Sequence, residues 1–192
     1  MKVLFLGNIG SPLIDVLKSF GEELIVCARK LDLAFVREVD PDFVVSYGYP
    51  FIVKKDVINS YEGRIINLHI SFLPWNRGSD PELWSLVDNT PKGVSIHYMD
   101  AGIDTGDLIV QAKVTCKPDD LLENYYNRLH NTIRELFKEN WNEIKEGKCQ
   151  RTPQQGEGSY HRSVDKEMIV HLLPLGEKTP IHSLISASNS NK

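Results

Sequence analysis

The chain has 192 residues, 22 Lys and Arg against 26 Asp and Glu, a formal net charge of −4 and 41% hydrophobic residues. That composition excludes collagen-like, disordered and disulfide-scaffold classes, and it holds enough apolar material for one domain core with a small extension. A mildly acidic chain without a run of Lys or Arg also argues against a dedicated nucleic-acid binder, because phosphate contacts need clustered cations.

No apolar stretch approaches the ~20 residues of a membrane span. Residues 1–7 show no signal-peptide pattern. Cys27, Cys116 and Cys149 are far apart and form no C-x-x-C pair, which points away from a disulfide framework and from a zinc site. The expected setting is reducing and cytoplasmic.

Residues 2–6 are an apolar run that reads as a strand, followed by a turn and a helix start with Pro12 in its first turn. Leu13, Val16, Leu17 and Phe20 repeat at helical spacing. Residues 24–28 read as a second buried strand. Leu31, Leu33, Phe35, Val36 and Val39 suggest a helix closed by Pro41, and residues 43–47 a third strand ending at Gly48. A short helix over 54–59 and a fourth strand over 65–69 follow. Apolar strands alternating with helices imply a Rossmann-like α/β core, a mostly parallel sheet flanked by helices. Ligands in such sheets sit at the carboxyl ends of strands, near a topological switch point. That singles out Asn8 and residues 47–50 and 67–71.

Residues 93–99 and 108–114 are two further β-like runs, joined by an Asp- and Gly-rich loop. Pro118-Asp119-Asp120 is a helix-start signature. Leu122, Tyr126, Leu129, Ile133, Leu136, Phe137, Trp141 and Ile144 then repeat at helical period until Gly147. That stripe suits core packing, with a partner-binding face as its other use. The expected organisation is a core over 1–150, a short irregular C-terminal tail over 151–182, and a disordered end over 183–192.

Among residues that could carry chemistry, Gly7-x-x-Gly10 lacks the spacing of a phosphate-binding loop and reads as a tight turn. His130, His161, His171 and His182 show no metal-ligand spacing, and no G-x-S-x-G nucleophile motif is present. Asn67-Leu68-His69 differs. Positions i and i+2 of a strand share a face, so an amide donor and an imidazole would point together past the strand end. Such a pair suits oxyanion stabilisation and proton removal, although a lone strand-end histidine satisfied by packing fits the same three residues. The loop over 71–78 adds Trp75, Asn76 and Arg77; Arg77 is either a surface cation or a bidentate grip on an anion. Trp84 suits ring stacking or core. Asp104 lies in a Gly-flanked loop, where it either stabilises a turn or supports an imidazole.

Taken together, Asn67-Leu68-His69-Ile70-Ser71-Phe72-Leu73-Pro74, Arg77-Gly78, Gly93-Val94-Ser95-Ile96-His97-Tyr98-Met99-Asp100 and Gly102-Ile103-Asp104-Thr105-Gly106-Asp107 resemble the folate-dependent formyltransferase family over roughly residues 1–150. That family includes methionyl-tRNA, glycinamide ribonucleotide and amino-sugar N-formyltransferases. The resemblance implies that Asn67, His69 and Asp104 are catalytic and move a formyl group from 10-formyltetrahydrofolate, the cosubstrate, to an amine. It implies no metal. It places the pterin against Tyr49, Pro50, Phe51, Val53 and Ile58, and against Met99, Asp100, Ala101 and Gly102.

Pro74-Trp75-Asn76-Arg77-Gly78, Pro81-Glu82-Leu83-Trp84-Ser85 and Ser159-Tyr160-His161-Arg162-Ser163 look most like enzymes that act on a nucleotide-linked amino sugar. On that reading Trp75, Asn76, Arg77 and His97 line the acceptor side. Glycinamide ribonucleotide is the alternative acceptor. Methionyl-tRNA is disfavoured by the acidic balance and by the chain ending soon after the core. A catalytically inactive folate-binding relative is the non-enzyme alternative, which the intact Asn–His–Asp set opposes. The expected partners are small molecules, with no nucleic acid, no membrane, and a homodimer as the assembly to test.

Overall fold

Val3, Leu4, Phe5 and Leu6 of strand β1 (Lys2–Gly7) are fully buried one after another. A strand with no polar alternation must be covered on both faces, which is the situation of a central parallel strand. β1 pairs in parallel with β2 (Glu23–Cys27) on one side and β3 (Phe43–Tyr47) on the other, and β3 pairs in parallel with β4 (Ile65–His69). The sheet has six strands in the order β2-β1-β3-β4-β6-β7, where β6 is Gly93–Tyr98 and β7 is Leu108–Lys113. This is the α/β architecture expected. The computed structural model describes residues 1–190.

Helices α1 (Pro12–Ser19), α2 (Leu33–Val39) and α3 (Lys55–Ser60) connect the first four strands. Ser11 and Asp32 cap the first two through their side chains, as short polar residues at helix starts do. α2 stops at Val39, two residues before Pro41. Asp40 takes the left-handed conformation (φ 44°) and returns its N–H to Val36 O.

By compactness the chain divides into two units interleaved in sequence. The first comprises Met1–His69, Ile96–Val110 and Arg134–Pro153, the second Ile70–Ser95, Gln111–Ile133 and Gln154–Lys192. In the first, a cluster of Leu4, Leu6, Val36, Val44, Val57 and Ile65 packs together with Val53 and Ile58. Phe43 meets Trp141 edge-on with ring centroids 5.3 Å apart. Glu22 is buried there and accepts from Trp141 Nε1 (3.0 Å), Lys145 Nζ (2.7 Å) and the N-terminal ammonium (3.0 Å).

In the second unit, β5 (Arg77–Gly78) pairs in parallel with β8 (Tyr160–His161). Only glycine fits at 78, because a Cβ there would lie 2.2 Å from His161 O. Helix α4 (Pro81–Val87) buries Leu83, Trp84 and Leu86, and the Trp84 ring stacks on His161 at 3.9 Å and 3°. Trp84 Nε1 is buried without a hydrogen-bond partner among the described residues. Helix α5 (Leu122–Lys145) contributes to both units.

Three expectations need correction. The α5 stripe runs through Tyr125, which is fully buried, while Tyr126 is 39% exposed. Residues 77–78, read as irregular loop, form β5. The segment after 150 carries β8, three short 3-10 turns (Ser163–Met168, Val170–Leu172 and Gly176–Lys178) and helix α6 (Ile181–Ser190), where disorder was expected from 183. Buried Ile181 and Leu184 give α6 an apolar side that packs against α4. The last two residues of the expected disordered end lie outside the described residues.

Candidate active site

The alternation of β4 puts Asn67 and His69 on one face, and His97 on the neighbouring strand β6 joins them. Asp104 arrives from the loop after β6. Asp100 anchors that loop by accepting from Gly102 N (3.0 Å) and Thr105 Oγ1 (2.6 Å). Gly106 lets it fold back onto the strand end, since a Cβ there would lie 1.9 Å from Tyr98 O. Asp104 itself is left-handed (φ 52°), a conformation aspartate tolerates better than most residues.

Four side chains of the first unit therefore converge. Asn67 Nδ2 donates to Asp104 Oδ1 at 3.1 Å and lies 3.4 Å from His97 Nε2. His69 Nδ1 is 3.7 Å from Asp104 Oδ2, and His97 Nε2 is 3.5 Å from Asp104 Oδ1. The two imidazoles stand edge to face with centroids 6.4 Å apart. His97 Nδ1 lies 2.8 Å from Tyr98 O. All are shielded: the His69, His97 and Asp104 side chains are 7%, 2% and 13% exposed. Two imidazoles and a carboxylate resemble a metal-binding set in composition, yet among the described residues no group of three or more such side chains is arranged to hold a metal ion. An amide donor, an imidazole base and a carboxylate in one shielded place can remove a proton and stabilise a developing oxyanion.

The positions expected to meet a pterin also lie in the first unit, but they differ among themselves. Val53 and Ile58 are 5% and 6% exposed and belong to the core cluster, against which Tyr49 and Met99 pack. The Tyr49 hydroxyl bridges the backbone, accepting from Leu31 N (2.8 Å) and donating to Arg29 O (2.7 Å). Its ring meets Phe51 edge-on at 5.4 Å. Pro50, Asp100, Ala101 and Gly102 are exposed. Phe51 is exposed as well, together with Ile52 of the same expected pterin-facing segment, and so is Ile103, which sequence reading did not single out. Large apolar residues left open at strand ends are the signal that identifies them.

Of the acceptor-side candidates, His97 joins the convergence just described. Trp75, Asn76 and Arg77 belong to the second unit. Asn76 is fully buried. Its Nδ2 donates to Thr90 Oγ1 (2.7 Å), its N–H to Ser159 Oγ (2.8 Å), and its Oδ1 accepts from Ser159 Oγ (3.1 Å). That amide ties the loop after β4 to Thr90 and Ser159. Arg77 donates through Nε (3.1 Å) and one terminal nitrogen (2.8 Å) to Gln154 Oε1. Trp75 is 36% exposed.

The family profile described as formyl transferase matches residues 28–140. The solved structure of the formyltransferase PseJ from Anoxybacillus kamchatkensis, in complex with UDP-4,6-dideoxy-4-formamido-L-AltNAc and tetrahydrofolate, is 45% identical, with a TM-score of 0.94 over 98% of this chain and 100% of that one. A 4-N formyltransferase from Francisella tularensis, 22% identical over 97% of this chain and 86% of its own, shares the fold with a TM-score of 0.77. The methionyl-tRNA formyltransferase of Caldanaerobacter subterraneus subsp. tengcongensis is 30% identical over 135 residues, 69% of this chain and 44% of its own. The chain spans half or less of the length of such curated relatives. No helix among the described residues is long and apolar enough to cross a membrane.

Proposed function

The chain belongs to the formyl transferase family, and from that premise we propose that it transfers a formyl group from 10-formyltetrahydrofolate to the amino group of a nucleotide-linked amino deoxysugar. The observation that carries this reading is the 45% identity spanning the whole of a formyltransferase bound to a UDP-linked formamido sugar and tetrahydrofolate. The folate supplies an activated formyl group. Phe51, Ile52 and Ile103 offer exposed apolar surface that fits its ring, with Tyr49, Pro50 and Met99 to Gly102 around it and Val53 and Ile58 backing it from the core.

His69 takes the proton that the attacking amine loses, since a protonated nitrogen has no lone pair to attack with, and gives it to the folate nitrogen as the bond from that nitrogen to the formyl carbon breaks and tetrahydrofolate leaves. Asn67 gives an amide hydrogen to the formyl oxygen as it becomes anionic. Asp104 orients both neighbours, with one carboxylate oxygen toward the Asn67 amide and the other toward His69 Nδ1. Trp75 and Arg77 are assigned on chemistry alone: a ring face and a guanidinium suit a nucleotide's base and its phosphates. Within this reading residues 1–150 are the formyl-transferring core and 151–182 its extension.

A cytoplasmic setting agrees with three cysteines that are all unpaired. A homodimer is supported by the exposed Val164, Met168, Val170 and Leu175 in the segment after Ser159. Light scattering that gives a monomer mass at working concentration removes the dimer from the reading.

The decisive assay incubates the protein with 10-formyltetrahydrofolate and a panel of UDP- and dTDP-linked amino sugars, and follows tetrahydrofolate release. Turnover with a sugar nucleotide is expected. Release only with glycinamide ribonucleotide, or only with methionyl-tRNA, reassigns the acceptor, and folate binding without release on the full panel overturns the enzyme reading.

A further inference from the structure

Two acceptors, taken together, dictate the orientation of the Asn67 amide. A carboxylate only accepts, so the Asn67 atom 3.1 Å from Asp104 Oδ1 is the nitrogen. A backbone carbonyl also only accepts, so His97 Nδ1, 2.8 Å from Tyr98 O, carries the ring's proton. In that Nδ1–H tautomer Nε2 carries the lone pair, and it lies 3.4 Å from Asn67 Nδ2 and 3.5 Å from Asp104 Oδ1. One amide hydrogen goes to Asp104 and the other to His97. The second bond lies near the outer limit for a hydrogen bond and is the weaker of the two.

We infer that His97 is a positioning residue for the formyl transfer: through Nε2 it holds the Asn67 amide with its second hydrogen in reserve. The formyl oxygen, on becoming anionic, is a stronger acceptor than an imidazole at 3.4 Å and draws that hydrogen away. His97 touches neither substrate in this role. It keeps a donor aimed and lightly held, so that little reorganisation is needed when charge develops. The inference rests on the formyltransferase reading above and assigns His97 a task other than contact with the acceptor.

Two conservative variants separate this role from its competitors. Gln places an acceptor where the ring has Nε2, whereas Asn reaches only the position of Nδ1. His97→Gln is expected to keep kcat within about threefold of wild type. His97→Asn and His97→Ala are expected to lose about tenfold in kcat with KM for the sugar nucleotide unchanged, the worth of roughly one hydrogen bond. The reverse ranking, Asn above Gln, makes the Tyr98 contact the important one and overturns the inference. An equal loss in all three variants overturns it in favour of proton transfer by His97, and a rise in KM alone in favour of acceptor contact.

A measurement without turnover keeps the test independent of the assigned reaction. Imidazole 15N spectra of the free wild-type protein in mild alkali are expected to show His97 protonated on Nδ1, with an Nε2 signal that moves in Asn67→Ala. An Nε2–H tautomer sinks the inference even if the enzyme is active. Absent turnover with this tautomer present sinks the acceptor assignment instead.

Discussion

Glu22 in the first unit and Glu82 in the second are both carboxylates drawn out of water, and they are treated differently. Glu22 is met by an ammonium, an indole N–H and a lysine, all within 3.0 Å. Burial alone would raise its pKa, but those donors outweigh burial and hold it below the usual glutamate value. Glu82, in the first turn of α4, has no side-chain hydrogen bond to its carboxylate among the described residues. Burial, helped by nearby Asp80, pushes it up to about 7. The first unit is a sheet whose polar intrusions are paired. The second leaves Trp84 Nε1 without a partner among the described residues and gives the Glu82 carboxylate only its own backbone N–H. The catalytic candidates sit in the better-paired unit, as a preorganised site requires.

The strongest blow to this contrast would come from the site. Asn67→Ala, His69→Ala and Asp104→Ala are each expected to lower turnover on the order of 10²-fold or more. Thermal melts should stay close to wild type, because each truncation is at a strand end or loop and not in the packed core. A folded variant with near-native turnover breaks the assigned roles.

A smaller effect belongs to Glu22. Glu22→Leu strands the Trp141 N–H and leaves two cations without their carboxylate, and should cost about 2–3 kcal/mol, or roughly 5–10 °C in melting temperature. Its lowered pKa fixes the sign of the pH dependence. The ion contributes stability above the ordinary glutamate pKa and loses it as pH falls through the lowered folded value. The gap between wild type and variant should therefore close in acid. A gap that is constant with pH would show that the charge is irrelevant.

The smallest effect has the opposite sign. Glu82 is easier to protonate folded than unfolded, so wild-type stability falls as pH rises from the ordinary glutamate value of 4.5 through about 7. Glu82→Gln removes that loss. The variant should be more stable than wild type above neutrality, and no different near the lower end of the window. A variant less stable in mild alkali would mean that Glu82 has found a partner, and the contrast between the units would fail.

The strands were legible where apolar runs are bounded by turn residues. Residues 43–47 and 65–69 were read to the residue, because Asp, Gly and Arg delimit them. The α5 stripe slipped by one position because 125 and 126 both satisfy helical spacing from 122, and only packing chooses between them. α4 was missed as a helix because its buried residues run consecutively from Leu83 to Leu86 and leave no amphipathic period. At the site, Asn67 and His69 followed from strand alternation. The contacts of His97 depend on a neighbouring strand, and those of Asn76 on Ser159, 83 positions away. No local pattern encodes such pairings.

The indole of Trp84 lying flat on His161 has an optical consequence. An imidazole in face contact offers the excited ring a non-radiative exit, so Trp84 is expected to emit weakly in the folded chain. Trp141 is fully buried, with its N–H on the Glu22 carboxylate, and is expected to emit without sensing bulk solvent. Trp75 is left as the lamp that senses solvent, and a brightening at intermediate wavelengths reports the moment the stack comes apart.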